Sequence, residues 1–290
     1  MKTNKKKILS TFFKIGLSVF LLYFVFNKIS FTEIWATVKG VKVSYILLAV
    51  LFFLASQWIS ANRLLLFFKE TGYHLSNKSN NILYLIGMFY NFFIPGGIGG
   101  DAYKIYILKK NFKWSAKKLT ASVFMDRFMG LTAIGILITI LSYKILLDYN
   151  LVWLIPFALI LIVAISYFFN KQFFPSYLKV FKKTLLLSIL IQLLQVTSVI
   201  CIILSLDDPQ NFLNYILVFL VSSVLSIFSF SGIGIREYVF YEASLLLMID
   251  SSTAVTIGFL FSIITATVSL FGIFYHFKSP ELQLSKSSRK

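Results

Sequence analysis

Asn91-Phe92-Phe93-Ile94-Pro95-Gly96-Gly97-Ile98-Gly99-Gly100-Asp101-Ala102-Tyr103 is the stretch on which the reading of this chain turns. An apolar run enters it from about residue 80, and a proline and four glycines then interrupt that run before an aspartate. Inside a helix glycine costs about 1 kcal/mol and proline about 3 kcal/mol relative to alanine, so the segment predicts a break. The pattern recurs. Gly232-Ile233-Gly234-Ile235-Arg236-Glu237-Tyr238 starts 135 positions after Gly97, and five of the ten positions counted from each glycine are identical, including Tyr103/Tyr238 and Tyr106/Tyr241. Paired glycine interruptions in corresponding parts of a hydrophobic chain point to a transporter-type site at a repeat interface.

The rest of the chain is membrane-like. Of 290 residues, 58% are hydrophobic and only 13% are charged. Apolar runs such as Ile46–Leu54, Ile134–Leu141 and Leu185–Leu194 are continuous, which excludes the short alternating strands of a β-barrel. They belong to segments long enough to cross a bilayer core as helices of about 20 residues. The fold class is therefore an all-α polytopic membrane protein. Six crossings are expected, at about 8–27, 43–67, 119–143, 151–169, 184–206 and 253–276. Two further apolar stretches, about 80–95 and 213–230, each lead into a glycine-rich motif and read as re-entrant units. One integral membrane domain is expected over 1–278, with repeat motifs around 80–110 and 213–248. A short basic tail follows at 279–290. The N-terminal lysines and Ile8–Phe26 mimic a signal peptide, but no small-residue cleavage pattern follows, so a retained first helix is expected.

A net charge of +17 raises nucleic acid as a partner, and the placement of the charge removes it. Twenty-one of the 28 basic residues fall in Lys2–Lys7, Arg63–Lys78, Lys104–Lys118, Lys171–Lys183 and Lys278–Lys290, between apolar segments. The positive-inside rule assigns such segments to the cytoplasm, with both termini inside. Anionic lipids at that face are the expected partners of this charge. With three crossings between them, two similar re-entrant units have opposite orientation, an inverted repeat.

Catalytic and cofactor chemistry finds little support. The single Cys201 excludes an internal disulfide and sits among isoleucines. His74 and His276 lie far apart without a metal-binding spacing, so no metal or other cofactor is expected. No GxSxG or P-loop pattern occurs, so no enzyme activity is expected.

Charge within the apolar segments is what remains to be explained. Asp126-Arg127 and Arg236-Glu237 lie deep in such sequence, where an ionised side chain costs roughly 2.5–3.5 kcal/mol on insertion scales. Lys14 snorkels from a helix end, and Arg63 admits the same explanation. Adjacent helical residues point about 100° apart, so Asp126 and Arg127 need separate partners. Arg127 can pair with Asp101 or Glu237, and Asp126 with Arg236 or Lys104. Free N–H groups at the helix starts near Asp101 and Arg236 also offer an anion seat. Two readings stand side by side: one buried ion network that holds the bundle together, and contacts to an anionic head group.

Three ordered motifs, Asn91–Asp101, Asp126-Arg127-x-x-Gly130 and Gly232–Glu237, resemble the lysylphosphatidylglycerol synthase transmembrane region, also called flippase-like integral membrane domains. The resemblance implies a multi-pass protein of the bacterial plasma membrane. It implies two re-entrant units lining a cavity that handles a phospholipid or lipid-linked head group. Full-length synthases add a soluble aminoacyl-transfer domain. Only Lys278–Lys290 follows the last span here, so lysyl transfer is not expected. Where the family often carries arginine after Gly-Gly-Asp, this chain has Lys104, a point charge without a bidentate fork. Where the family usually introduces the second motif with proline and glycine, it has Phe230-Ser231.

The expected function is translocation of an anionic lipid head group. Asn91, Pro95, Gly97, Gly99, Gly100, Asp101, Lys104, Asp126, Arg127, Gly232, Gly234, Arg236 and Glu237 are the candidate substrate-binding residues. Arg127 and Arg236 would counter-charge a phosphate, with Asp101, Asp126 and Glu237 positioning them. One alternative is the membrane subunit of an aminoacyl-phospholipid synthase whose transferase is a separate protein. The other is a scaffold that transports nothing.

Overall fold

A computed structural model describes residues 20, 23, 31–93, 99–206, 211–226, 234–277 and 282–285. Within these the regular structure is helical: α1 (Phe31–Lys39), α2 (Val43–Glu70), α3 (Asn77–Phe93), α4 (Gly99–Phe112), α5 (Ala116–Leu141), α6 (Tyr143–Asp148), α7 (Leu154–Phe173), α8 (Phe181–Ser205), α9 (Phe212–Leu225), α10 (Ile235–Leu247) and α11 (Ser251–Phe277). A 3₁₀ turn at Pro175–Val180 precedes α8. Five segments are long and apolar enough to span a bilayer: α2, α5, α7, the turn with α8, and α11. They coincide with five of the six expected crossings. The sixth, 8–27, lies outside the described residues except for Phe20 and Tyr23. The short helices α1 and α6 were not anticipated.

The helices flanking each glycine motif are too short to cross. α3 and α4 have 17 and 14 residues, and α9 and α10 have 14 and 13. At 1.5 Å per residue none exceeds about 26 Å, against roughly 30 Å of hydrocarbon.

Two compact units divide the chain. The first comprises 1–54, 86–100 and 195–274. Here α9 and α10 pack on each other as a hairpin. The helices on either side of the hairpin, α8 and α11, both touch the junction of α1 and α2. The Lys42 amide donates to the Ser205 carbonyl at 3.0 Å, and Thr37 shares a hydroxyl hydrogen bond with Ser252 at 3.3 Å. The end of α8 and the start of α11, which flank that hairpin in sequence, are therefore both held near the α1–α2 junction. Phe53 and Phe219 pack edge-on against Phe261 in its interior.

The second unit comprises 55–85, 101–194 and 275–290. Leu64, Leu65, Phe68, Leu75, Leu83, Leu108, Leu119 and Val123 form one buried cluster, with Leu282 packed against it. Tyr73, just after α2, stacks on Trp114, just after α4, and its hydroxyl accepts the Ser115 amide at 2.8 Å. The chain enters α3 and leaves α4 on one side, as a re-entrant unit requires. Three of the five basic segments, Arg63–Lys78, Lys104–Lys118 and Lys171–Lys183, come together towards that end. Residues 282–285, inside the expected tail, run antiparallel to 74–76: the Ser76 amide donates to Gln283 and the Ser285 amide to His74. The 3₁₀ turn beside Lys171–Lys183 joins them through Tyr177, which hydrogen-bonds Ser122 near the start of α5.

Candidate functional site

The first glycine motif is a close helix crossing as well as a break. A Cβ added at Gly100 would fall on the backbone of Gly87, so α4 starts against the bare main chain of α3. Asn91 fixes the start: its Oδ1 accepts the Gly100 amide at 2.8 Å. Gly99 lies in the same first turn of α4. Pro95, Gly97 and Gly232 lie outside the described residues.

In the second unit Asp101, two residues into α4, is buried and shared between two cations. Its Oδ1 accepts from Lys104 Nζ at 3.1 Å, and its Oδ2 lies 3.0 Å from Arg127 Nη2 and accepts from Nε at 3.1 Å. Lys104 is buried too, its ammonium 4.5 Å from the centre of the Tyr84 ring. Arg127 is different. Its side chain is 59% exposed, although it is the twelfth residue of the 26-residue α5. Thr120, Phe124, Arg127 and Leu131 form the exposed stripe of this part of α5 at three- and four-residue spacing. One guanidinium thus sits between exposed apolar side chains with a carboxylate behind it.

Asp126 takes neither of its expected partners, Arg236 or Lys104. It accepts a 2.8 Å hydrogen bond from Arg63 Nε. Arg63 is not a snorkelling residue but is 5% exposed, and its Nη1 donates to Ser188 at 2.7 Å. Gly130, one turn beyond Asp126, lies beside that guanidinium, 3.7 Å away from where a Cβ would stand. This explains the Asp126-Arg127-x-x-Gly130 spacing: acid, open cation, then room for a buried arginine. The missed signal for Arg63 was on its own helix. Buried Ser56 and Ser60 precede it by seven and three residues and mark α2's polar, inward face.

In the first unit the second motif seals itself. Gly234 has φ +83°, a conformation that glycine adopts freely, and caps α10. Its amide donates to Glu237 Oε2 at 2.7 Å, so the chain's own carboxylate occupies the expected anion seat. At the first motif Asn91 takes the Gly100 amide in the same way. Ser262 donates to Glu237 Oε1 at 2.8 Å and accepts from Arg236 Nη1 at 2.9 Å. Arg236 is 7% exposed, lies 4.9 Å from the Phe261 ring centre, and leaves its Nε unpartnered among the described residues. Gly258 makes the room, since a Cβ there would stand 3.1 Å from Phe240 and 3.4 Å from Arg236. Ser262, Phe261 and Gly258 gave no signal in a sequence where small and aromatic residues are common.

The expected residues therefore form two clusters. One holds Asp101, Lys104, Asp126 and Arg127 with Arg63, and presents Arg127. The other holds Gly234, Arg236 and Glu237 with Ser262, and is closed.

No curated protein matches the chain. The lysylphosphatidylglycerol synthase TM region matches residues 11–183, which take in the first glycine motif, Arg63 and the Asp126-Arg127 pair but stop before the second motif. With more than half of its length matched, the chain belongs to that membrane-protein family.

Proposed function

We propose that the protein binds an anionic phospholipid or lipid-linked head group through Arg127 and moves it across a bacterial plasma membrane. The exposure of Arg127 carries the reading. A cation facing hydrocarbon without a counter-ion is costly, and Asp101 offsets it from one side only, while sharing its charge with Lys104. A phosphodiester oxygen on the open side would complete the fork with charge-assisted hydrogen bonds. Phe124 and Leu131, exposed on the same stripe, suit acyl chains lying along α5. A soluble anion would have no use for them.

The buried Arg63–Asp126 pair favours a second reading, a scaffold whose charges only hold helices together. Reconstitution separates the two. Arg127→Gln in liposomes should insert and fold, yet move a fluorescent phosphatidylglycerol analogue about tenfold or more slowly, the loss expected for one charge-assisted contact. Wild-type transport by this variant overturns the head-group role. Loss of thermal stability with transport intact makes Arg127 purely structural, and wild-type protein that moves no lipid supports the scaffold.

A further inference from the structure

We propose that Arg63 is a positioning residue that sets the anion affinity of the Arg127 site, by removing the charge of Asp126 from it. The inference rests on the head-group reading above. Five ionisable side chains make up the cluster, three basic and two acidic: Arg63, Lys104, Arg127, Asp101 and Asp126. The net charge is one positive, and it is presented at Arg127 because the other four are buried.

Asp126 adjoins Arg127 along the chain, with consecutive Cα atoms about 3.8 Å apart. An uncompensated carboxylate there would cancel the field that draws an anion to Arg127. Arg63 prevents this. Its Nε holds Asp126 Oδ1 at 2.8 Å, and its Nη1 is anchored on Ser188, whose hydroxyl in turn donates to the Thr184 carbonyl at 2.6 Å. The anchor ties α2 and α5 to α8, so the arginine cannot follow the carboxylate towards α4. Asp126 is neutralised in place, and Asp101 remains the only acid that bonds Arg127 among the described residues.

Charge counting gives the test. Arg63→Gln takes the cluster to zero, Asp126→Asn raises it to two positive, and the double variant restores one. Purified full-length protein is titrated with soluble dihexanoyl phosphatidylglycerol, and thermal stability is measured in parallel. Arg63→Gln should bind about tenfold or more weakly. Asp126→Asn should bind at least as tightly as wild type although it melts earlier. The double variant and Arg63→Lys should bind within about threefold of wild type. A purely structural role would make affinity follow stability, so an Asp126→Asn protein that is both less stable and a weaker binder overturns the inference. So does a double variant that binds as weakly as Arg63→Gln, or an Arg63→Gln protein that binds normally. If Arg63→Gln fails to fold, the double variant and Arg63→Lys decide on the same thresholds. Wild-type protein that does not bind the probe removes the head-group reading, and this inference with it.

Discussion

Single residues in this protein act through what stands opposite them, and two glycines show how far the effect differs. Gly100 meets the main chain of Gly87, which cannot move without bending α3. Gly100→Ala should therefore destabilise the detergent-solubilised protein by about 3 kcal/mol, the upper end of overpacking costs. Gly130 meets only the end of the Arg63 side chain, at an ordinary contact distance of 3.7 Å. Alanine there gains about 1 kcal/mol of helix propensity and loses little. A thermal midpoint for Gly130→Ala at or above that of wild type, beside a large drop for Gly100→Ala, is the expected result. Equal effects would contradict the close crossing. The sequence shows both glycines, yet it cannot show this difference, because the facing residue lies on another helix at Gly100 and at the end of a long side chain at Gly130. The same limit explains Asp126: its sequence neighbours suggested partners from the glycine motifs, whereas Arg63, 63 positions away, is the one that folding supplies.

At the scale of elements, hydropathy alone located the spans well. Val43–Glu70, Ala116–Leu141, Leu154–Phe173 and Ser251–Phe277 each meet an expected crossing to within a few residues, and Pro175–Ser205 starts nine residues before the expected 184–206. Such segments are legible because about 20 apolar residues have little alternative in a bilayer. α1 and α6, with nine and six residues, carry no such signal. The pairing of 282–285 with 74–76 was equally hidden, since it is made by backbone groups in polar sequence. That strap also supplies a hydrogen bond from the Gln283 amide to Ser79 Oγ, at the start of α3. Deleting 282–290 should raise amide exchange at Ser76 and along the first turn of α3, where the lost partners stood, and leave α8 as protected as before. Unchanged exchange around residues 76–80 would mean that the strap holds nothing in place.

For the whole molecule, the remaining question is which way round it sits in the membrane. Three of five basic segments meet at one end of the second unit, through Tyr73 and Trp114 and through Tyr177 and Ser122. Hydropathy had only assigned each segment separately; packing brings these three to one end of the unit. Charge of one sign collected on one face favours the cytoplasmic side, where anionic lipids add attraction. From that side α5 leads outward, so Tyr149 after α6 should face outside. α7 returns and places Lys179 inside, and α8 leads out again to the hairpin that ends at Met248. These three positions and Lys110 are exposed, with Tyr149 at 72% and Met248 at 94%. In a Cys201→Ala background, Tyr149→Cys and Met248→Cys should react with an impermeant thiol reagent added to intact cells. Lys110→Cys and Lys179→Cys should react only after permeabilisation. Labelling at 149 and 248 would place the ends of the second hairpin on the opposite face from the basic surface, as an inverted pair requires. Labelling of 110 from outside would overturn the orientation, and protection of 248 together with labelling of 149 would mean that the second hairpin crosses the membrane after all.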